Sequence, residues 1–172
     1  MHERIKGKTL VAPDEGDDAY GVTIKVYGEE TNGAVSIIEQ PFEPGFLLPP
    51  HWHENDVWLH IVEGEMHVRV ADEIVKAPAG SWVLKPRRVP HTMWNAGPEP
   101  ARIIEVYTPG GFELFFKDFG KRLRQGPIGL EELNRLGRPH GIHFFDDWIP
   151  ELKAAYNVRL IGEDAGPSWA GV

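Results

Sequence analysis

The sequence predicts an all-β domain, built as a sandwich or barrel, with a short helical tail after it. Three observations support this prediction: short runs of β-type residues recur at close intervals, turn-forming residues separate them, and a helical pattern replaces them after Pro109. With 172 residues, the chain is long enough for one domain with a substantial core. Its 19 glycines and 15 prolines are scattered, which indicates many turns rather than a disordered block.

The predicted strands extend over residues 22–107 and are recognised by residue type and by alternation. Within 66–70, Met66, Val68 and Val70 alternate with polar residues, which is typical of a strand with one buried face. Segments rich in Gly, Pro, Asn and Asp separate the runs and supply the turns. The predicted strands are 22–27, 34–38, 57–62, 66–70, 73–76, 82–84, 92–94 and 101–107.

A helical pattern begins after Pro109. Phenylalanines at positions i, i+3, i+4 and i+7 predict one face of a helix that Gly120 closes, and leucines three residues apart predict a second helix that ends at Gly137. Pro150 suits the first turn of a third helix, and Asn157 suits its C-terminal cap. We expect the phenylalanine face to pack on the wall of the β-structure; the alternative is that one or two of its rings line the mouth of a pocket. The apolar positions are Phe112, Phe115, Phe116, Phe119, Leu130, Leu133 and Leu136.

The composition argues against several classes of partner. A net charge of −8 disfavours nucleic acid or an anionic membrane surface. The chain has no cysteine, which excludes disulfides, thiolate ligands and cysteine nucleophiles and agrees with a reducing cytoplasm. No apolar run approaches the ~20 residues of a membrane span, and residues 1–12 lack the apolar region of a signal peptide. We therefore expect a cytoplasmic protein without a membrane or nucleic-acid partner.

Two histidines separated by one residue are the first candidates for chemistry. If residues 51–53 form a strand, the side chains of His51 and His53 project to the same face, at a spacing that suits one metal ion. The preceding residues 45–50 are apolar and turn-forming and would lead this strand into a dry interior. The pair alone fits a solvated or structural role equally well. His91 opens a later strand about 40 residues beyond His53, a distance typical of a neighbouring hairpin in a barrel of short strands.

These histidines belong to a pattern that resembles the two motifs of the cupin superfamily. The first motif, G-x5-H-x-H-x3-E-x6-G, and the second, G-x5-P-x-G-x2-H-x3-N, match the chain at eight of ten positions. The matching residues are Gly45, His51, His53, Gly64, Gly80, Pro86, His91 and Asn95. The resemblance implies a cupin barrel, a jelly-roll-type double-stranded β-helix, over residues 1–110, with the core motifs in 45–95. Residues 111–172 would then form a helical tail packed on the barrel within the same domain.

The C-terminal part of the chain extends the resemblance to one group of cupins. Residues 109–112 read Pro-Gly-Gly-Phe, and residues 156–162 read Tyr-Asn-Val-Arg-Leu-Ile-Gly. Both segments are similar to those of single-domain cupins of the quercetin 2,3-dioxygenase-like group. This resemblance implies a metal-dependent, non-haem dioxygenase that acts on a small aromatic or enolic substrate.

Two positions depart from the cupin motifs. Arg88 stands where the second motif has a glycine, which affects a tight turn. Val57 stands where the first motif has a glutamate, which in most metal-binding cupins is a ligand or a base beside the metal. Val57 can be neither. The adjacent Asp56 should point to the opposite face unless a β-bulge reorients it.

The resemblance implies a metal site of His51, His53 and His91, without a carboxylate ligand. We expect Fe(II) there, with Zn, Ni, Mn and Cu as alternatives. Because these ligands are neutral, the ion keeps its formal charge of +2, which favours an anionic or enolic substrate. Glu105 is a candidate acid or base near the metal; alternatively, it faces solvent or pairs with Arg102.

An apolar lining should exclude water from the metal site, and we expect it to consist of Phe46, Val57, Leu59, Trp82 and Met93. Other histidines have less specific roles. His60 should face away from the barrel interior, and His67 lies in another predicted strand. His140 and His143 lie in the tail, either in exposed loops or as part of a lid over the pocket.

Two further functions stay open beside the dioxygenase. One is a metal-assisted isomerase, cyclase or lyase that uses no oxygen and needs a proton-transfer residue such as Glu105. The other is a metal-free cupin that binds a small molecule. The tryptophans in the strands also favour a homodimer.

Overall fold

The computed structural model of the protein describes residues 7–163 and contains, within that range, two β-sheets and three α-helices. The strands are β1 (Asp17–Asp18), β2 (Thr23–Val26), β3 (Ser36–Phe42), β4 (Phe46–Leu47), β5 (His51–His53), β6 (Asp56–Glu63), β7 (Glu65–Val70), β8 (Glu73–Pro78), β9 (Trp82–Lys85), β10 (His91–Trp94), β11 (Ala101–Thr108), β12 (Ile142–Phe144) and β13 (Arg159–Leu160). The helices are α1 (Glu113–Leu123), α2 (Leu130–Gly137) and α3 (Ile149–Tyr156). None of these helices is long and apolar enough to cross a membrane.

The two sheets enclose the core and confirm the predicted all-β fold with a helical tail. The first sheet has the strand order β1-β2-β3-β11-β6-β9. The second has the order β12-β5-β10-β4-β13, and β7 joins it by pairing with β10 and β8. In β6, Val57, Leu59 and Ile61 are fully buried, whereas Trp58 on the opposite face is 44% exposed. This alternation directs one face of the strand into the barrel.

All eight predicted strands overlap observed ones, but the tail is not purely helical. Two of its segments are strands: β12 pairs with β5, and β13 pairs in parallel with β4. The prediction failed there because two- and three-residue strands carry no recognisable alternation and form only against an existing sheet edge. The tail therefore completes the second sheet directly beside the strand that carries His51 and His53.

The helix boundaries agree with the prediction except at Gly120. Helix α2 ends at Gly137, Pro150 lies in the first turn of α3, and Asn157 caps α3 in the left-handed conformation with φ 53°. Helix α1 continues past Gly120 to Leu123, so the prediction that this glycine ends the helix was wrong. A Cβ atom at position 120 would lie 2.5 Å from the carbonyl oxygen of Ala19, so glycine is needed there for close packing.

Arg88, at the glycine position of the second cupin motif, adopts the backbone conformation that glycine favours. Its φ is 63°, in the left-handed region, and its backbone N–H donates to the carbonyl of His53 over 2.7 Å. Its guanidinium forms an exposed ion pair with Glu54, at 2.7 Å. The turn of the motif is thus preserved by a residue for which this conformation is unfavourable.

The Arg88→Gly variant should be more stable than Arg88→Ala by about 1 kcal/mol. Both variants lose the ion pair with Glu54, but only glycine relieves the left-handed backbone strain. Urea unfolding of the two variants at one pH measures the difference. Equal midpoints would contradict the assigned backbone conformation.

Candidate metal centre

The three predicted ligands converge at one point inside the barrel. His51 and His53 lie on the inward face of β5, and His91 lies opposite His51 in the register of β10 with β5. All three side chains are buried, with exposures of 4%, 1% and 0%. Each offers a ring nitrogen, and these nitrogens lie within 4.8 Å of one another. Trp52, between the two histidines of β5, points the other way and stacks on His143 with ring centroids 4.0 Å apart.

Backbone carbonyls fix the tautomer of each ring. Nδ1 of His51 lies 2.8 Å from the carbonyl oxygen of Pro49, and corresponding contacts join His53 to Asn55 at 2.9 Å and His91 to Val89 at 2.8 Å. Because a carbonyl oxygen can only accept, Nδ1 carries the proton in each ring and Nε2 presents a lone pair. Nε2 of His91 is buried and has no hydrogen-bond partner within residues 7–163. This donor set therefore fits a divalent metal ion.

Burial keeps the three rings neutral, the form that binds metal. It lowers the pKa of His51 and of His91 well below the ordinary value and lowers the pKa of His53 to about 4. The positive charge of Lys85 contributes to all three shifts, and the negative charge of Glu105 partly opposes it at His53. The imidazoles are thus ready to bind a cation at neutral pH without first losing protons.

The metal-free protein should lose stability as the pH falls below about 6.5. An unfolded chain takes up a proton on each of these histidines near that pH, whereas the folded chain does not until its lower pKa is reached, about 4 for His53. The contribution of these histidines to the free energy of unfolding is thus fully present above pH 6.5. Below that pH, it decreases by up to about 1.4 kcal/mol for each pH unit and each histidine.

Urea unfolding of the metal-free protein between pH 7.5 and 5 measures this slope. The His91→Ala variant, which lacks one of the buried rings, should show a shallower slope under the same conditions. Identical slopes in the two proteins would show that the buried histidines do not govern the acid sensitivity.

The position of the missing motif glutamate is filled by apolar core. Val57 is fully buried and lies between Lys85 of β9 and Tyr107 of β11 in the register of the sheet. Asp56 points outward, as predicted, and its carboxylate accepts hydrogen bonds from the backbone N–H and the guanidinium of Arg87, at 2.8 and 2.7 Å. No carboxylate thus stands at the usual ligand position.

Glu105 supplies a carboxylate elsewhere on the inner wall. It is 2% exposed, pairs with the ammonium group of Lys85 and accepts a hydrogen bond from the Tyr107 hydroxyl over 2.7 Å. The alternative in which Glu105 faces solvent or pairs with Arg102 was wrong. Arg102 instead binds Glu39 at 2.5 Å on the outer face, because side chains alternate along β11. Burial and the Glu105 charge raise the pKa of the Tyr107 phenol well above its ordinary value.

A cavity of about 40 Å³ lies beside His51. This volume exceeds the ~10–15 Å³ that a cavity needs to hold one water molecule. Polar groups form part of its wall, and apolar side chains, mostly from the tail, form the rest. The lining consists of Gln40, His51, Lys85, Glu105 and Tyr107 with Val22, Leu48, Pro49, Phe112, Phe115, Phe116, Phe119, Leu133, Ile142, Phe144 and Ile161.

None of the five predicted apolar lining residues lines this cavity. Val57, Leu59 and Met93 are fully buried in the core, and Phe46 packs under the guanidinium of Arg159 at 4.3 Å. Trp82 is on the outer face and 55% exposed, so its placement in the pocket was wrong. Strand alternation explains the error, because Val83 and Lys85 are the more buried residues of β9. The tail supplies the lining instead, which no local pattern in the barrel strands could predict.

Residues 39–107 match the sequence profile of the cupin domain. Among curated proteins, none matches the chain. The RmlC-like cupin from Shewanella frigidimarina superposes with a TM-score of 0.53 at 20% identity, over 64% of this chain and 99% of that one. The fold is that of a cupin.

Two other solved structures have lower scores. A double-stranded β-helix protein from Klebsiella pneumoniae has a TM-score of 0.46 at 19% identity, over 52% of this chain and 76% of that one. Salicylate 1,2-dioxygenase from Pseudaminobacter salicylatoxidans has a TM-score of 0.43 at 23% identity, over 44% of this chain and 22% of that one.

The other histidines within residues 7–163 lie outside the metal centre. His60 faces outward as predicted and stacks on Trp82, with ring centroids 4.2 Å apart. His67 stacks on Trp94 with centroids 5.5 Å apart. His143 lies in strand β12, and His140 contacts the Asp118 carboxylate at 2.9 Å, so neither belongs to an unstructured exposed loop. Neither residue lines the cavity.

Proposed function

We propose that this cupin binds Fe(II) through His51, His53 and His91 and is a dioxygenase for a small enolic or aromatic substrate. The observation that supports this most strongly is the set of three neutral, buried imidazoles, one of which, His51, lines a mostly apolar cavity. Three ligands leave coordination positions open for a substrate oxygen and dioxygen. Zn, Ni, Mn and Cu are alternative occupants, because imidazole binds all of them.

The charge of the site favours an anionic substrate. Three neutral ligands leave a divalent ion with its full formal charge, and an enolate or phenolate oxygen would offset part of it. The bound ion would supply Lewis acidity and, as iron, electron exchange with dioxygen. The protein's own contribution is to hold the imidazoles in one tautomer and to exclude water with the phenyl rings of the tail.

The size of the cavity favours a substrate of few atoms over a flavonol. Pockets for drug-sized molecules have volumes of about 300–1,000 Å³, well above the 40 Å³ of this cavity. A flavonol would enter only if Phe112, Phe115, Phe116 and Phe119 moved outward with helix α1. A small β-dicarbonyl compound in its enol form needs far less displacement.

The proposed reaction is balanced without an external reductant. Dioxygen adds to the enolate carbon, the adjacent carbon–carbon bond breaks, and one oxygen atom ends in each of the two carbonyl-containing products. The substrate carbons supply all four electrons that dioxygen accepts.

An oxygen electrode tests this function directly. The metal-stripped protein is reloaded with Fe(II) or with Zn(II), and pentane-2,4-dione or a flavonol is added. We expect oxygen uptake only with the iron-loaded protein, and both atoms of ¹⁸O₂ in the products by mass spectrometry. Uptake no faster than with Fe(II) alone, for both substrates, would exclude this function.

The position of Glu105 on the cavity wall supports a second candidate function, that of a metal-assisted isomerase, cyclase or lyase. Its carboxylate, with Lys85 and Tyr107, gives the cavity wall groups that can move a proton although Val57 replaces the motif glutamate. A rearranged or cleaved product formed from a β-dicarbonyl compound under nitrogen, detected by NMR, would favour this candidate, because the dioxygenase forms no product without oxygen. Elemental analysis of the purified protein separates both from a metal-free binding module.

We also propose a homodimer. Trp58, Trp82 and Leu84 lie on the outer face of β6 and β9 and are 44%, 55% and 39% exposed. An exposed apolar cluster on a sheet face and its edge strand is typical of a protein interface. Light scattering should give about twice the monomer mass, and the Trp82→Glu variant should shift the mass to that of a monomer.

A further inference from the structure

Gln40 is a buried polar side chain on the inner wall of the barrel. It lies on the inward face of β3, is 6% exposed and lines the cavity next to His51. Its amide can donate two hydrogen bonds and accept two, so a ligand that enters the cavity can bond to it.

Lys85 adds further donors to the same wall. Its ammonium group has three N–H bonds, and the contact with Glu105 uses one of them. The Tyr107 hydroxyl is occupied because it also donates to Glu105. The wall therefore has a surplus of donors, and an oxygen-rich acceptor such as a carboxylate would satisfy them better than a hydrocarbon or an amine.

The charges around the cavity lead to the same ligand class. Lys85 and Glu105 cancel each other, and the three histidines are neutral, so a divalent ion at the metal centre would leave the site at +2. A ligand with two negative charges would balance it. An oxo acid in its enolate form carries these charges on two separate oxygen groups.

We propose that Gln40 and Lys85 form a carboxylate-binding subsite, and that the substrate is a small oxo acid whose enolate oxygen faces the histidines. This inference rests on the proposed function, because it assigns the second polar group of the substrate of that same site. The cavity, at about 40 Å³, is far smaller than the pockets of about 300–1,000 Å³ that hold drug-sized molecules, and so suits an acid of only a few carbon atoms.

The Gln40→Leu variant tests the subsite, because leucine keeps a similar size and removes every hydrogen bond. Titration calorimetry on zinc-loaded protein measures the binding of acetoacetate without turnover. We expect Gln40→Leu to weaken acetoacetate binding by about 10- to 100-fold, since a hydrogen bond to a charged group is lost. In pentane-2,4-dione a methyl group replaces a carboxylate oxygen. Gln40→Leu should weaken the binding of this compound only about threefold, because a neutral acceptor forms a weaker hydrogen bond.

Gln125 provides the matched control. It is the other glutamine of the chain and is exposed, so Gln125→Leu should leave acetoacetate binding unchanged. All three proteins should bind one zinc ion. A second variant, Gln40→Glu, keeps the shape of the side chain. It should bind acetoacetate more weakly than Gln40→Leu does, because its carboxylate repels the carboxylate of the ligand.

The subsite would be rejected if wild type does not bind acetoacetate, if Gln40→Leu binds it within twofold of wild type, or if the variant weakens both probes equally. The zinc-loaded protein carries out no oxygen chemistry, so this result is independent of the proposed dioxygenase. If the iron-loaded protein takes up no oxygen but Gln40→Leu still weakens acetoacetate binding, the dioxygenase is rejected and the subsite is kept. If oxygen uptake occurs but Gln40→Leu does not change acetoacetate binding, the subsite is rejected and the dioxygenase is kept.

Discussion

Replacing His91 with alanine should weaken metal binding by about 100- to 1,000-fold while sparing the fold. Zinc affinities of about 10–16 kcal/mol for four-ligand sites correspond to roughly 2.5–4 kcal/mol for each ligand. His91 is one of three converging donors, and no carboxylate in the register of Val57 can replace it. Two imidazoles on one strand would remain, and they bind a divalent ion far more weakly than three.

The fold should survive because His91 contributes little besides its ring nitrogens. Its backbone pairs with Val70 and His51 whatever its side chain, and its Nε2 atom makes no hydrogen bond within residues 7–163. The variant loses the contact of Nδ1 with the Val89 carbonyl and leaves a small cavity, which together destabilise by about 1–3 kcal/mol.

Elemental analysis after equilibrium dialysis, with circular dichroism on the same samples, measures both effects. His60→Ala is the matched control, because His60 stacks on Trp82 outside the barrel and its loss should leave the metal content unchanged. Full metal content in His91→Ala would contradict the ligand assignment.

The metal centre could be predicted because its geometry follows from local rules. Residues two apart on a strand share a face, which places His51 beside His53, and the motif spacing brings His91 to the neighbouring strand. The same alternation predicted the outward direction of Asp56 and His60. Alternation did not reveal the inward direction of Lys85, because an inward Trp82 implies an outward Lys85 and the register that places Lys85 opposite Val57 depends on strand pairing.

The cavity could not be predicted because it depends on contacts between distant segments. The phenylalanine face of α1 was expected to pack on the barrel, but which of its rings border the cavity depends on how the tail docks. Strands β12 and β13 are too short to recognise and form only against β5 and β4. The partner of Glu105 was likewise hidden, since Lys85 lies 20 residues earlier in sequence and becomes a neighbour only through strand pairing.

Replacing Lys85 with methionine should destabilise the metal-free protein by about 3–5 kcal/mol. The ion pair of Lys85 and Glu105 has both side chains 2% exposed, so the variant leaves the Glu105 carboxylate buried without its cation. The exposed ion pair of Arg87 and Asp56 is the matched control, and Arg87→Met should cost no more than about 1 kcal/mol.

Adding Glu105→Gln to Lys85→Met should restore most of the lost stability. A glutamine can keep the hydrogen bond from the Tyr107 hydroxyl, and neither position 85 nor position 105 then carries a buried charge. Urea unfolding of the two single variants, the double variant and wild type gives the coupling energy between the two residues. A single variant as stable as wild type, or a double variant no more stable than Lys85→Met, would show that the two groups are not paired within the barrel.

If the double variant is stable and binds zinc yet loses acetoacetate affinity, the ion pair serves the ligand rather than the fold, because neutral methionine and glutamine fill the same space without attracting a carboxylate.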